Sequence, residues 1–272
     1  MKSILCPTDF SEVASNAIEY AAQLTKSLSA SITLTYVRPT IWPEAVQLEQ
    51  EERTSAEEIS ALLKRMCQEV QNEFGVICNF NVQSTTDTLE ETIAALASQY
   101  DLLVMGTNGA DNYYQYVFGS NTYHVIEKTK CSVIVVPRGC KFKQPDILVY
   151  AYDPDTNPVF LIDELKKLVS PLRTEVHVLH IAERKPSDEE DHKMEIMRDA
   201  IKARMPKNIG WAFEFQYSDD VPWALDHYMK THQMEMLALS FHHRSLMERL
   251  FSKNVIKEIT MISEYPVFVF WH

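Results

Sequence analysis

Glycine is scarce in this chain, with 6 in 272 residues. Basic residues are also in the minority: 26 Lys and Arg stand against 38 Asp and Glu, a formal net charge of -12. Nonspecific affinity for nucleic acid rests on Lys and Arg, so so acidic a chain is not expected to have a nucleic-acid partner. A small phosphorylated ligand is not excluded, because backbone N–H groups can hold an anion whatever the net charge. No apolar run reaches the roughly 18–20 residues that span a bilayer, so no membrane partner is expected. The opening MKSILCPTDF is interrupted by Pro7 and Asp9 too early for a signal peptide. Cys6, Cys67, Cys78, Cys131 and Cys140 include no CxxC pair. They read as reduced, buried thiols of a cytoplasmic protein.

Strands and helices alternate in the first half. SILCP, SITLTYV (31–37), ICNFNVQ (77–83), DLLVMG (101–106) and SVIVVP (132–137) have strand character. Helical spacing predicts helices over 11–28, 44–73, 88–100 and 120–130. Such alternation implies an α/β fold with a parallel, doubly wound sheet. RGCKFKQPD (138–146) then reads as a linker, and the pattern repeats. DILVYAYD resembles SILCPTD, and VHVLHI (176–181), WAFEFQYS, MEMLALS (234–240) and PVFVFW follow as strands. Helices are expected around 189–205, 220–232 and 253–262. The chain thus divides into domains over 1–140 and 146–272, an internal duplication.

Three of the glycines, Gly106, Gly109 and Gly119, fall within GTNGADNYYQYVFGSN. This stretch joins the fourth strand to a helix, where ligands bind in open parallel sheets. Glycine lets backbone approach a ligand closely or take positive φ. Gly119-Ser120-Asn121 is expected to open the helix, whose free N–H groups attract an anion. These residues together read as a phosphate cradle. Met105 packs beside it or in the core. Tyr113, Tyr114 and Tyr116 lie on the loop, over a ligand or on an exposed partner surface.

Gly106, Gly109, Gly119, Ser120 and Asn121 match a G-x2-G-x9-G-S/T-N motif that contains Asn108. With the opening ILCPTDFSEVASNAIEYAAQL, they resemble the ATP-binding branch of the universal stress protein family. The likeness covers the chain as two tandem copies. It implies Rossmann-like domains, related to adenine nucleotide α-hydrolases, with five parallel strands in the order 3-2-1-4-5 and helices on both faces. It also implies bound ATP or another adenine nucleotide, often with Mg²⁺ or Mn²⁺, and pairing through the fifth strand, within the chain or in a homodimer. Pro7, Thr8 and Asp9 fall where family members contact adenosine, and Val37 where backbone faces adenine. Asp9 with Glu12 also fits a helix-capping box.

The second copy keeps Asp153 at the place of Asp9. Ser240, His243, Ser252 and Lys253 replace Gly106, Gly109, Gly119 and Ser120, while Asn254 remains. Side chains at former glycines predict a second domain that does not bind ATP in the family's way. His242, His243 and Arg244 read as a solvated loop. His177 and His180, three apart on a strand, face opposite sides.

The expected function is adenine-nucleotide binding by a regulatory protein of the stress response, acting on an unidentified protein partner. The alternatives are a scaffold that binds no nucleotide and a slow ATPase. No Lys or Arg lies between Gly106 and Asn121, which argues against fast phosphoryl chemistry. No catalytic residue and no metal ligand is assigned.

Overall fold

The computed structural model describes residues 1–39, 56–107, 116–154, 156–182, 185, 187–241 and 253–271. These form two compact units, one ending at Phe142 and the other running from Lys143 onward.

The first unit runs β1 (Ser3–Pro7), α1 (Glu12–Leu28), β2 (Ser31–Pro39), α2 (Ala56–Phe74), β3 (Ile77–Thr85), α3 (Leu89–Ala97), β4 (Leu102–Thr107), α4 (Tyr116–Lys128) and β5 (Val133–Pro137). Its strands lie in the order β3-β2-β1-β4-β5. Neighbours pair in parallel, as Ser3 with Ser31, Ser31 with Ile77 and Leu103 with Val133. Val133, Ile134, Val135 and Val136 are all fully buried, as expected of a strand covered on both faces.

The ends of α1 show how local sequence sets an element. Ser11 caps it by accepting a hydrogen bond from the Ala14 N–H. Ala17, Ile18, Ala21 and Leu24 then pack inward at helical spacing. Ser29 stops the helix in the left-handed region at φ 52°, and the Ala30 N–H donates to the Thr25 carbonyl at 3.0 Å.

The second unit runs β6 (Ile147–Ala151), α5 (Pro158–Leu172), β7 (Glu175–Ala182), α6 (Asp188–Arg204), β8 (Trp211–Tyr217), α7 (Val221–Thr231), β9 (Met236–Phe241), α8 (Lys253–Ile262) and β10 (Val267–Trp271). Its strands lie in the order β8-β7-β6-β9-β10, the same succession as in the first unit. The repeat extends to single residues. Ser3 pairs with Ser31 and Ile147 with Glu175, which sets Arg173 at the place of Ser29. Arg173 also ends its helix in the left-handed region, at φ 56°.

One helix start differs from expectation, and another lies beyond the described residues. The described part of α2 begins at Ala56, and residues 40–55 lie outside the described residues. Helix α4 begins at Tyr116 rather than at residue 120. Gly119, Ser120 and Asn121 are therefore its fourth to sixth residues and do not open it. Tyr116-Val117-Phe118 contains no breaker, and one glycine inside a helix costs only about 1 kcal/mol.

Candidate functional site

In the first unit β1 lies between β2 and β4, so the chain winds one way from β1 and the other way at β4. The carboxyl ends of these strands border the crevice where open α/β sheets bind ligands. Pro7 ends β1 and Thr8 follows it, Val37 lies near the end of β2, and Met105 and Gly106 lie near the end of β4. The structure thus brings these five together. Asn108 and Gly109 lie outside the described residues, as do Tyr113 and Tyr114.

The turn after β1 is held by three backbone N–H hydrogen bonds of ordinary length. The Thr8 N–H donates to the Thr35 carbonyl at 2.9 Å. The Phe10 N–H donates to the Thr8 hydroxyl at 3.0 Å, and the Ser11 N–H to Asp9 Oδ1 at 2.9 Å. Asp9 is exposed, and Thr8 and Val37 are buried. The Asp9–Glu12 capping box does not form, because Ser11 is the cap and Glu12 pairs with Arg138 at 2.9 Å. An Asp two residues before a free N–H closes its own turn, which leaves the cap to Ser11.

Phe10 stands in the left-handed region at φ 65°. For a residue with a Cβ this costs roughly 1–2 kcal/mol. Its ring stacks on Tyr36 with centroids 5.1 Å apart, which holds it there. Nothing in the sequence around Phe10 announces this ring pair. Arg138 was likewise hidden in what reads as a linker. Its N–H donates to the Thr107 carbonyl at 2.8 Å, which sets it at the β4–β5 strand ends.

Gly106 is closely packed. A Cβ built on it would stand 2.7 Å from both Cγ1 and the carbonyl oxygen of Val13. The close approach that glycine permits here is to the first turn of α1. The Gly106 carbonyl also accepts from the Thr122 hydroxyl at 3.2 Å, tying β4 to α4.

The second unit builds the equivalent places differently. Ser240 stands where Gly106 does, and its hydroxyl lies 3.1 Å from both the Tyr150 and Thr156 hydroxyls. Helix α5 begins at Pro158, two residues later than the start of α1 by the Asp9–Asp153 correspondence. Tyr152 stands where Thr8 does, and its ring meets His180 at 5.7 Å and Phe213 at 5.8 Å. His180 is buried, which pushes its pKa down, and its Nδ1 lies 3.0 Å from the Tyr152 carbonyl. Asp153 is buried, unlike Asp9. His242, His243, Arg244 and Ser252 lie outside the described residues. Lys253 and Asn254 fall in the first turn of α8. Among the described residues there is no group of three His, Cys, Asp or Glu able to hold a metal ion. No described helix is long and apolar enough to cross a membrane.

Comparison with known proteins agrees with this geometry. Residues 1–137 match the model of the universal stress protein family. Universal stress protein MJ0531 of Methanocaldococcus jannaschii is 31% identical over 144 residues, 50% of this chain and 82% of that protein. A universal stress protein from Archaeoglobus fulgidus superposes with a TM-score of 0.76 at 18% identity, over 99% of this chain and 98% of that one. A functionally unknown protein from Pseudomonas aeruginosa gives 0.65 at 14% identity, over 100% and 92%. At these identities the two structures speak to the fold.

Proposed function

Because the chain belongs to the universal stress protein family, we propose that it is an adenine-nucleotide-binding regulatory protein whose nucleotide is held by residues 1–140. The observation that carries this reading is the G-x2-G-x9-G-S-N stretch, which runs from the end of β4 into the first turns of α4, on the strand that neighbours β1. Pro7, Thr8, Asp9 and Val37 would contact the adenosine end. Asn108, Gly109, Gly119, Ser120 and Asn121 would receive the phosphates, with side-chain-free backbone at Gly109 and Gly119 giving close approach near the start of α4. Met105 and Gly106 form the floor. For Gly106 the role is indirect: it seats α1 against β4, so that the turn carrying Thr8 and Asp9 stands over the strand ends. Any Mg²⁺ or Mn²⁺ would arrive with the nucleotide, held chiefly by its phosphates and water.

In this reading residues 146–272 are a degenerate second domain without nucleotide. The Ser240 hydroxyl and the Tyr152 ring occupy the places of Gly106 and Thr8, so that a protein-contact role fits this unit better. Signalling rather than turnover is assigned, because no Lys or Arg lies between Gly106 and Asn121 to clamp the phosphates.

The test is mass spectrometry of small molecules released from the purified protein, with a thermal-shift titration by ATP. An adenine nucleotide in the released fraction, or a rise in Tm with ATP, supports the reading. No nucleotide and no shift at millimolar ATP would leave the scaffold alternative.

A further inference from the structure

The five cysteines are far apart in sequence and give no pairing signal, yet two of them meet. Cys67 lies on the inner face of α2, and Cys78 is the second residue of β3. The turn between these elements brings Cys78 Sγ to 2.9 Å from Cys67 Sγ. Cys67 Sγ also lies 3.1 Å from the Asn79 carbonyl oxygen. The backbone on the Cys78 side is fixed by Gln71 of α2, whose Nε2 donates to the Cys78 carbonyl at 2.8 Å. The sulfurs need to move together by only about 0.9 Å to reach bonding distance.

We propose that Cys67 and Cys78 are a modification site: a dithiol that a peroxide closes to an intramolecular disulfide, stapling α2 to β3. Both residues are 4% exposed. They sit, however, at the border of the sheet, where among the described residues β3 has a strand neighbour on one side alone and Ile77 beside Cys78 is 65% exposed. A molecule the size of hydrogen peroxide needs only slight opening of α2 from that edge. The S–H of Cys78 donates to Cys67. This bond holds the Cys67 thiol below its ordinary range and, with burial, pushes Cys78 up. Cys67 is therefore the attacking sulfur and Cys78 the resolving one.

The chemistry balances with peroxide as the oxidant. The Cys67 thiolate attacks one peroxide oxygen, the O–O bond breaks, hydroxide leaves and a sulfenic acid forms. The Cys78 sulfur, giving up its proton, attacks the Cys67 sulfur. The S–S bond forms, the S–O bond breaks and water leaves. Two thiols lose two hydrogens and two electrons, and one peroxide becomes two waters. Cys78 pairs with Ile32 near the amino-terminal start of the sheet, away from the proposed nucleotide site. The dithiol therefore stands independently of that reading.

The test uses the full chain, folded, with hydrogen peroxide as the probe. Remaining thiols are alkylated after unfolding, and the protein is cleaved after glutamate, at Glu69 and Glu73 between the two cysteines. The expected result is a Cys67–Cys78 cross-linked pair, released by dithiothreitol. It should form about tenfold or more faster in the folded protein than in urea, because folding holds the sulfurs in place. The oxidised protein should melt roughly 5 °C higher. Three results would each overturn the proposal: cross-links scattered among Cys6, Cys131 and Cys140; both Cys67 and Cys78 alkylated while other thiols oxidise; or Cys67 carried past sulfenic acid without a bond to Cys78. Cys78→Ala serves as the second check. In that variant peroxide should leave Cys67 as a trappable sulfenic acid, and a disulfide from Cys67 to another cysteine of the folded chain would contradict the pairing. If the variant does not fold, the peptide map of the parent decides alone.

Discussion

The carbonyl oxygen of Val13 lies 2.7 Å from where a Cβ on Gly106 would stand. The contact joins the end of β4 to the first turn of α1 and lets the two pack without an intervening side chain. Cγ1 of Val13 is equally close, but a rotamer change can move it, and the carbonyl belongs to the helix. Gly106→Ala is therefore expected to lower stability by roughly 1–3 kcal/mol. Urea unfolding of the parent, Gly106→Ala and the Val13→Ala/Gly106→Ala pair checks this. The double variant should recover less than half of the loss, because the carbonyl clash remains.

Ser240 is the counterpart of Gly106 and should respond in the opposite sense to a glycine exchange. Ser240→Gly removes a buried hydroxyl from the Tyr150–Thr156 group and gives the chain more freedom to lose on folding. A loss of about 1–2 kcal/mol is expected. If urea unfolding shows Ser240→Gly to be neutral, the hydroxyl group contributes nothing to the second unit.

Asp101 anchors the start of β1 by accepting from the Lys2 N–H at 2.7 Å, the Ser3 N–H at 3.0 Å and the Ser3 hydroxyl at 3.1 Å. The Lys2 bond leads in holding its carboxyl below the usual range. A carboxyl whose pKa is lower folded than unfolded stabilises fully above the unfolded value. That stabilisation is lost as pH falls through the folded one. Asp101→Asn should cost about 1 kcal/mol at neutral pH, a modest figure because the site is exposed. The gap to the parent should close as pH drops below about 4. A gap that stays constant down to pH 2 would contradict this origin.

Much of the fold was legible because both physical signals were strong. β5 is an unbroken apolar run bounded by Ser132 and Pro137, and α1 has small apolar residues at helical spacing behind Ser11. The repeat was legible for the same reason, since strand signals recurred at matching intervals. The site was legible in part. Pro7, Thr8, Val37, Met105 and Gly106 do gather at three neighbouring strand ends. What Gly106 packs against was not legible, because Val13 is 93 positions away in sequence and joins it through topology. The cap was not legible, because Asp9 and Ser11 are both capping residues and the turn geometry decides between them. The start of α4 was not legible, because Gly119-Ser120-Asn121 reads as a helix opening, whereas one glycine is tolerated inside a helix. The Cys67–Cys78 meeting was invisible for the same reason as Val13: sequence spacing carries no record of which helix face meets which strand.

Gly109 and Gly119 bear most directly on the nucleotide reading, since they carry the bare backbone beside the proposed phosphates. Gly119→Val should leave the fold intact, at a helix-propensity change of under about 1 kcal/mol. It should nonetheless remove ATP binding, and Gly109→Val should do the same. Circular dichroism verifies the fold in each variant.

The decisive measurement is calorimetric titration of the full chain with ATP, run in parallel on the parent, Gly119→Val and Ser240→Gly. The account predicts one site per chain, lost in Gly119→Val and kept in Ser240→Gly. Two sites in the parent, or undiminished affinity in Gly119→Val, would contradict it.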